Sequence, residues 1–331
     1  MLAKLFVSTS LFAAALTACG GDDTGPTDGC TGHACVSGDV AVTDAEGGNI
    51  ILEYIYFDAE LSAAFKLPAG VTTITRSMAY FMDAQTPNAN PLPTPGTCNN
   101  LVASKGWPTY VAPTHTDLDV GTVSLTGKNT AGADVTIDLP KQPKGLDSVG
   151  RPHDIFYQTI VPVAAANLVP NSSYTVKIGG AGAIPATTLT DGLFMAADFT
   201  VNTPGLEENG PLVAGTDYTV HWTPATSAKL PPAAELVGGG VAGITWLVDV
   251  MGSPTHICPA DHAAGQFKIP GAAITEYKAI ATARGLPSNK AIMLRNAVVH
   301  RLAKLPNGEA NNKRRVDMVT LLCWAQLVDV Q

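Results

Sequence analysis

Charge is scarce in this sequence. Asp, Glu, Lys and Arg make up only 15% of its 331 residues, below the roughly 25% of an ordinary soluble domain. The basic sign is the scarcer one, 20 residues against 28 acidic, for a net charge of −8. Few basic clusters remain to neutralise phosphates, so no nucleic acid is expected as a partner. The run Lys313-Arg314-Arg315 reads as a solvated strand start. Long hydrophobic runs are missing after the first eighteen residues, so nothing later in the chain reads as a membrane-spanning helix. There is no G-x-S-x-G elbow and no H-E-x-x-H pair. Gly238 to Gly243 fits G-x-G-x-x-G only as a string. It precedes the strand-like Ile244–Val248 instead of opening a helix, so it offers a pyrophosphate no helix N-terminus. Gly121 to Lys128 is one residue too long for a P-loop, and Asn129 stands where a hydroxyl should hold Mg²⁺. No cofactor is expected.

What is present is a core and many turns. Apolar residues make up 46% of the chain, with 32 Gly and 24 Pro. That apolar content excludes a disordered chain. The Gly and Pro density favours many short strands over long helices.

The first eighteen residues, MLAKLFVSTSLFAAALTA, place one cation, Lys4, before an apolar stretch from Leu5 to Ala18. The stretch is short for a bilayer span and suits a signal h-region. It ends Leu16-Thr17-Ala18-Cys19, which resembles the lipobox of bacterial lipoproteins. The resemblance implies cleavage before Cys19 and acylation of that residue. The acyl chains would tether the protein to a membrane without a spanning helix. Gly20, where Asp signals inner-membrane retention in well-studied bacteria, favours the outer membrane. Residues 19–37 are Gly, Asp, Thr and Pro with little to bury, and read as a flexible tether.

From residue 38 the pattern has period two. Ile50–Phe57, Leu61–Leu67, Ile74–Met82, Val120–Leu125, Val135–Leu139, Ile155–Val161, Ser173–Ile178 and Leu193–Val201 read as strands. Residues 202–212 read as a linker. Beyond it, Tyr218–Pro224, Ile244–Val250 and Phe267–Ile269 read as strands and Ala272–Ala283 as one short helix. Ile292–Leu305 and Val316–Val328 read as a long hairpin. The expected fold is all-β: two β-sandwich, Ig-like domains at 38–204 and 205–331, behind the signal peptide 1–18 and the tether 19–37. The second half also resembles a sandwich domain of myxobacterial lipoproteins. The features that carry this are Trp222-Thr223-Pro224, the Cys258 strand with its Asp261 turn, and Phe267-Lys268-Ile269-Pro270. That family implies fold and address, and no activity.

The chain has six cysteines. With Cys19 lipidated, five remain in an oxidising compartment. Cys30 and Cys35 are expected to pair locally and Cys258 with Cys323, which leaves Cys98 odd; Cys98 with Cys30 or Cys35 is the other option. His256, Cys258, Asp261 and His262 carry the side-chain types of a Zn²⁺ site, provided Cys258 is not oxidised. Asp117 and Asp119 offer a Ca²⁺ ion two carboxylates of the six to eight oxygens it takes. His115, His153, His221 and His300 are scattered, with no sequence-local Ser or Cys partner. Trp107 and Tyr110, in a long Pro-rich loop, suit stacking on a carbohydrate or a protein ligand.

Together these features read as a lipid-anchored envelope protein, non-catalytic, acting as a binding or structural module. The rival reading is a secreted-type hydrolase or metal-binding protein with its site near His256 and His262.

Overall fold

The computed structural model describes residues 44–67, 72–84, 96–103, 114–129, 131–146, 152–162, 169–182, 184–198, 210–224, 226–305 and 314–331. Cys19, Cys30, Cys35, Trp107 and Tyr110 lie outside them, as do residues 1–37, read from the sequence as signal peptide and tether.

The fold is all-β, with two α-helices among the described residues. The strands of the N-terminal half are β1 (Ala45–Phe57), β2 (Thr73–Ala84), β3 (Asn99–Asn100), β4 (His115–Asp117), β5 (Val123–Lys128), β6 (Asp134–Leu139), β7 (Lys141–Gln142), β8 (Gly145–Leu146) and β9 (Pro152–His153). They continue as β10 (Phe156–Pro162), β11 (Ser172–Ile178), β12 (Thr187–Met195), β13 (Tyr218–His221), β14 (Ala242–Val248), β15 (Pro254–Asp261), β16 (Gln266–Ile269), β17 (Lys290–Lys304) and β18 (Arg314–Asp329). The helices are Ala59–Ala64 and Gly271–Ala283. The first replaces the start of an expected strand. Asp58 caps it, its carboxylate accepting the Leu61 N–H at 2.6 Å, and the Ala- and Glu-containing run that follows favours helix over strand.

Ten strands form one long sheet in the order β3-β15-β14-β17-β18-β1-β2-β10-β7, with β4 added beside β2. All neighbours are antiparallel except β1 and β18, which run parallel from Ala45↔Arg314 to Phe57↔Ala325. The expected hairpin of β17 and β18 forms, in register from Lys290↔Asp329 to Lys304↔Arg315. Both arms are buried along nearly their whole length, the burial of central strands covered on both faces. The boundary expected at 204/205 is not a boundary of this sheet. Strands from before it (β1, β2, β10) and after it (β14, β15, β17, β18) share one hydrogen-bonded ladder.

A second sheet, β12-β11-β5-β6, packs on one face of the first. Leu125, Val176 and Leu193 share one buried cluster with Ile50, Leu52, Val316 and Met318 there. The approach is close: a Cβ on Gly192 of β12 would lie 2.7 Å from Met318 Cε, so a larger residue there would have to displace the end of that side chain. The helix Gly271–Ala283 buries Ala273, Ile274, Tyr277 and Ala281 in the same cluster.

The opposite face of the long sheet carries Ile51, Ile55, Met78, Trp246, Val298, Val319 and Leu321, with buried ionic groups among them. Glu53 and Arg76 face each other across β1 and β2 at 2.7 Å. Asp317 holds His300 Nε2 at 2.7 Å and Arg315 Nε at 3.1 Å.

Candidate metal centre

Period-two alternation sends His115 and Asp117 of β4 to the same side of their strand. Only three residues long, β4 is fixed by pairing to the end of β2, Ala84↔His115 and Met82↔Asp117. His153 arrives from the two-residue strand β9. Its ring stacks on Tyr80 of β2, with centroids 4.5 Å apart and planes 23° apart. The Tyr80 hydroxyl in turn donates to Glu46 Oε1 at 3.2 Å.

These contacts bring three ligand-type side chains together. Asp117 Oδ1 lies 2.6 Å from His153 Nδ1 and 3.5 Å from His115 Nε2. One donor atom from each of the three residues falls within 4.8 Å of the other two. A tetrahedral ion with bonds of about 2.0 Å sets its ligands about 3.3 Å apart, so small side-chain adjustments bring this set into coordination distance. The Asp154 backbone N–H donates to Asp117 Oδ2 at 2.5 Å and orients the carboxylate, the outer-sphere bracing that metal ligands use. His153 is fully buried, while His115 and Asp117 retain 17% and 11% side-chain exposure, enough for solvent to reach the cluster from one side.

Two imidazoles and a carboxylate suit Zn²⁺ and the neighbouring divalent transition metals. They do not suit Ca²⁺, which takes six to eight oxygens. The paired-aspartate reading fails on the second member as well. Asp119 is taken up by Lys141 Nζ at 2.6 Å, the Gly121 N–H at 2.9 Å and the Tyr157 hydroxyl at 2.9 Å. These contacts, the Lys141 hydrogen bond foremost, hold its carboxyl down at about 2.

The side chains of His256, Cys258, Asp261 and His262 do not converge as a ligand set. Cys258 is joined to Cys98, and an oxidised sulfur supplies no thiolate. The expected Cys258–Cys323 pair does not form, because Cys258 and Cys323 lie in the clusters on opposite faces of the long sheet. Cys323 is a buried free thiol, its pKa pushed up by burial. His256 does share a face with Cys258, as alternation requires, but its Nε2 meets Glu276 Oε2 at 3.2 Å. Asn100 donates to the same Glu276 oxygen at 2.6 Å. Asp261 caps a turn, accepting the Ala263 N–H at 2.9 Å. His262 is buried beside Arg295, Nδ1 to Nη2 3.3 Å. Burial, with the Arg295 charge adding to it, lowers the His262 pKa to about 3. These residues pin the Cys98 segment and the helix Gly271–Ala283 to strand β15.

The sequence signal for the actual cluster was weak. In the sequence Asp117 reads only as a carboxylate for Ca²⁺, and His115 and His153 read as scattered. No protein-family model and no curated protein sequence matches this chain.

Proposed function

We propose that this chain is a lipid-anchored envelope protein whose folded body binds a divalent transition-metal ion through His115, Asp117 and His153. The observation that carries the metal reading is the convergence of three donor atoms within 4.8 Å from β4 and β9. A carboxylate and two imidazoles contain no thiol, so the set stays competent in an oxidising compartment where cysteines pair. Three protein ligands leave a position for water. The role proposed is binding, with no reaction assigned. The anchor rests on Leu16-Thr17-Ala18-Cys19, with Cys19 as the acylated residue and Gly20 favouring the outer membrane.

Two measurements test the two halves of this reading. Zn²⁺ titrated calorimetrically into the chelator-treated full chain is expected to bind one ion, and Asp117→Asn or His153→Ala to abolish the heat. His256→Ala is expected to bind as the parent does. No binding by the parent, or binding unchanged by Asp117→Asn, overturns the metal site. For the anchor, intact mass of membrane-extracted protein is expected to show a chain that begins at Cys19 with added acyl mass; a chain beginning elsewhere without that mass overturns it.

A further inference from the structure

The outer face of the small sheet holds a second feature, away from the metal cluster. A cleft of about 430 Å³ lies over β5 and β11, with Thr126, Lys128, Asp134, Ser173 and Thr175 along it. The sheet register explains this lining. Leu125 and Val176 face the core, so their neighbours Thr126 and Thr175, which are cross-strand partners, face outward. One end of the cleft is closed by Asn171, Asp191, Phe194 and Lys229.

Two of those end residues have an unusual backbone. Asn171 has φ 61° and Asp191 φ 50°, the left-handed region that glycine occupies without strain. Only one other non-glycine residue among those described, Lys66, has positive φ. Both residues line the same cleft, and both positions are held by hydrogen bonds. The Ser227 hydroxyl holds Asn171 Oδ1, which fixes the amide plane. The Asp191 carbonyl accepts Arg301 Nη1, and the Asp191 N–H donates to the Thr175 hydroxyl at 3.4 Å. Asn and Asp enter this region more readily than other non-glycine residues, and here both line one polar cleft with their positions held by hydrogen bonds.

The lining narrows the ligand class. Lys128 and Asp134 pair at 2.6 Å, so their charges cancel within the cleft. Asp191 and Lys229 add one charge of each sign, so a phosphate or a sulfated chain finds no net positive field. Phe194 is only 1% exposed, which leaves an apolar group little to bind. The cleft sits over the two middle strands of the β12-β11-β5-β6 sheet, whose backbone groups are already paired, so an added peptide strand has no ladder to join. What remains is hydroxyl, amide and paired-charge chemistry in a volume of small-ligand size.

We infer that this cleft binds a neutral oligosaccharide, with Thr126, Ser173 and Thr175 hydroxyls and the Asn171 amide as its hydrogen-bonding groups. The site is independent of the metal cluster and of the membrane anchor.

Saturation-transfer NMR and calorimetry with maltotriose, cellotriose and N,N′-diacetylchitobiose test it, with trigalacturonate as the acidic probe. At least one neutral sugar is expected to bind the full chain at millimolar concentration, and trigalacturonate not to. Asn171→Gly removes the amide and relieves the backbone. It is expected to leave the melting temperature unchanged or higher while weakening binding about tenfold, the value of one or two hydrogen bonds. Thr126→Val is expected to weaken binding by a similar factor. Failure of all three neutral sugars overturns the inference. So does preference for trigalacturonate, or a sugar whose affinity both variants leave unchanged.

Discussion

The guanidinium of Arg295 lies 3.6 Å over the ring of Trp222. Arg295 is fully buried on β17, where an isolated charge is costly. The indole face attracts the cation, and Nη1 donates to the Asn296 carbonyl at 2.7 Å. The indole N–H donates to the His262 carbonyl at 2.7 Å, which locks the ring in place. Gly243 completes the arrangement, because a Cβ there would come within 2.6 Å of Arg295 Nη2. Trp222→Leu is expected to cost about 2 kcal/mol or more, the value of a desolvated cation–π contact, read as a lower urea midpoint. Phe, which keeps a ring face, is expected to restore part of the loss.

The same neighbourhood sets a pH dependence. Burial lowers the pKa of His262 to about 3, and burial lowers that of His256 against the opposing pull of Glu276. An unfolded chain protonates both near pH 6.5, while the folded chain resists. The unfolded state therefore binds more protons below that pH, and stability falls as pH drops from about 6.5 toward 3, by up to about 1.4 kcal/mol per pH unit for His262, with His256 acting in the same direction. Urea midpoints between pH 4 and 8 check this. His262→Gln is expected to flatten the acid side; a slope that stays the same would assign the effect to other groups.

The ion pair of Arg76 and Glu53 is buried at both ends, with 0% and 3% side-chain exposure. Burial raises the Glu53 pKa despite Arg76, so removing Arg76 strands a carboxyl that already resists ionisation. Arg76→Leu is expected to destabilise by about 3–5 kcal/mol, and the double replacement Glu53→Leu with Arg76→Leu by much less. A double-mutant cycle by chemical denaturation measures the difference.

The Cys98–Cys258 bond spans 160 residues of sequence. On the chain-entropy model a closure of that length stabilises by about 5 kcal/mol before strain. Reduction is expected to lower the denaturation midpoint. Peptide mapping of the oxidised chain is expected to recover Cys98 and Cys258 in one linked pair. Cys323, buried and with a raised thiol pKa, is expected to resist alkylation until the chain unfolds.

At the metal cluster, Zn²⁺ at a hundredfold excess over its dissociation constant is expected to raise stability by about 2.7 kcal/mol. A chelator reverses the gain, and Asp117→Asn removes it. Melting curves with and without chelator read both.

Alternation made the strands legible. Ile50–Phe57 and the two arms of the β17–β18 hairpin read correctly because their apolar residues repeat through whole strands. The helix at Gly271–Ala283 was also visible, following Pro270 with a run of Ala, Glu and Lys. What sequence pattern does not encode is which distant strand pairs with which. The parallel pairing of β1 with β18 joins residues about as far apart as this chain allows, and no local turn announces it. The metal cluster was hidden for the same reason. His115 and His153 lie in strands of three and two residues, too short to show a period, and they meet only because β4 pairs with β2 and Tyr80 supports the second ring. Sequence pattern does not give the cysteine pairing either: Cys258 on β15 and Cys323 on β18 have β14 and β17 between them and face opposite sides of the sheet.

The parallel pairing of β1 with β18 also has a consequence for synthesis. Strand β1 begins at residue 45 and its partner β18 ends at residue 329, and between them they form the middle of the long sheet. A nascent chain that has not yet released β18 therefore lacks the centre of its largest described sheet. Local hairpins such as β5–β6 have all their residues early, but the main ladder must wait for the final strand. Such non-local pairing makes folding slow and keeps the incomplete chain open until late. It also leaves unpaired strand edges for chaperones to guard in the meantime.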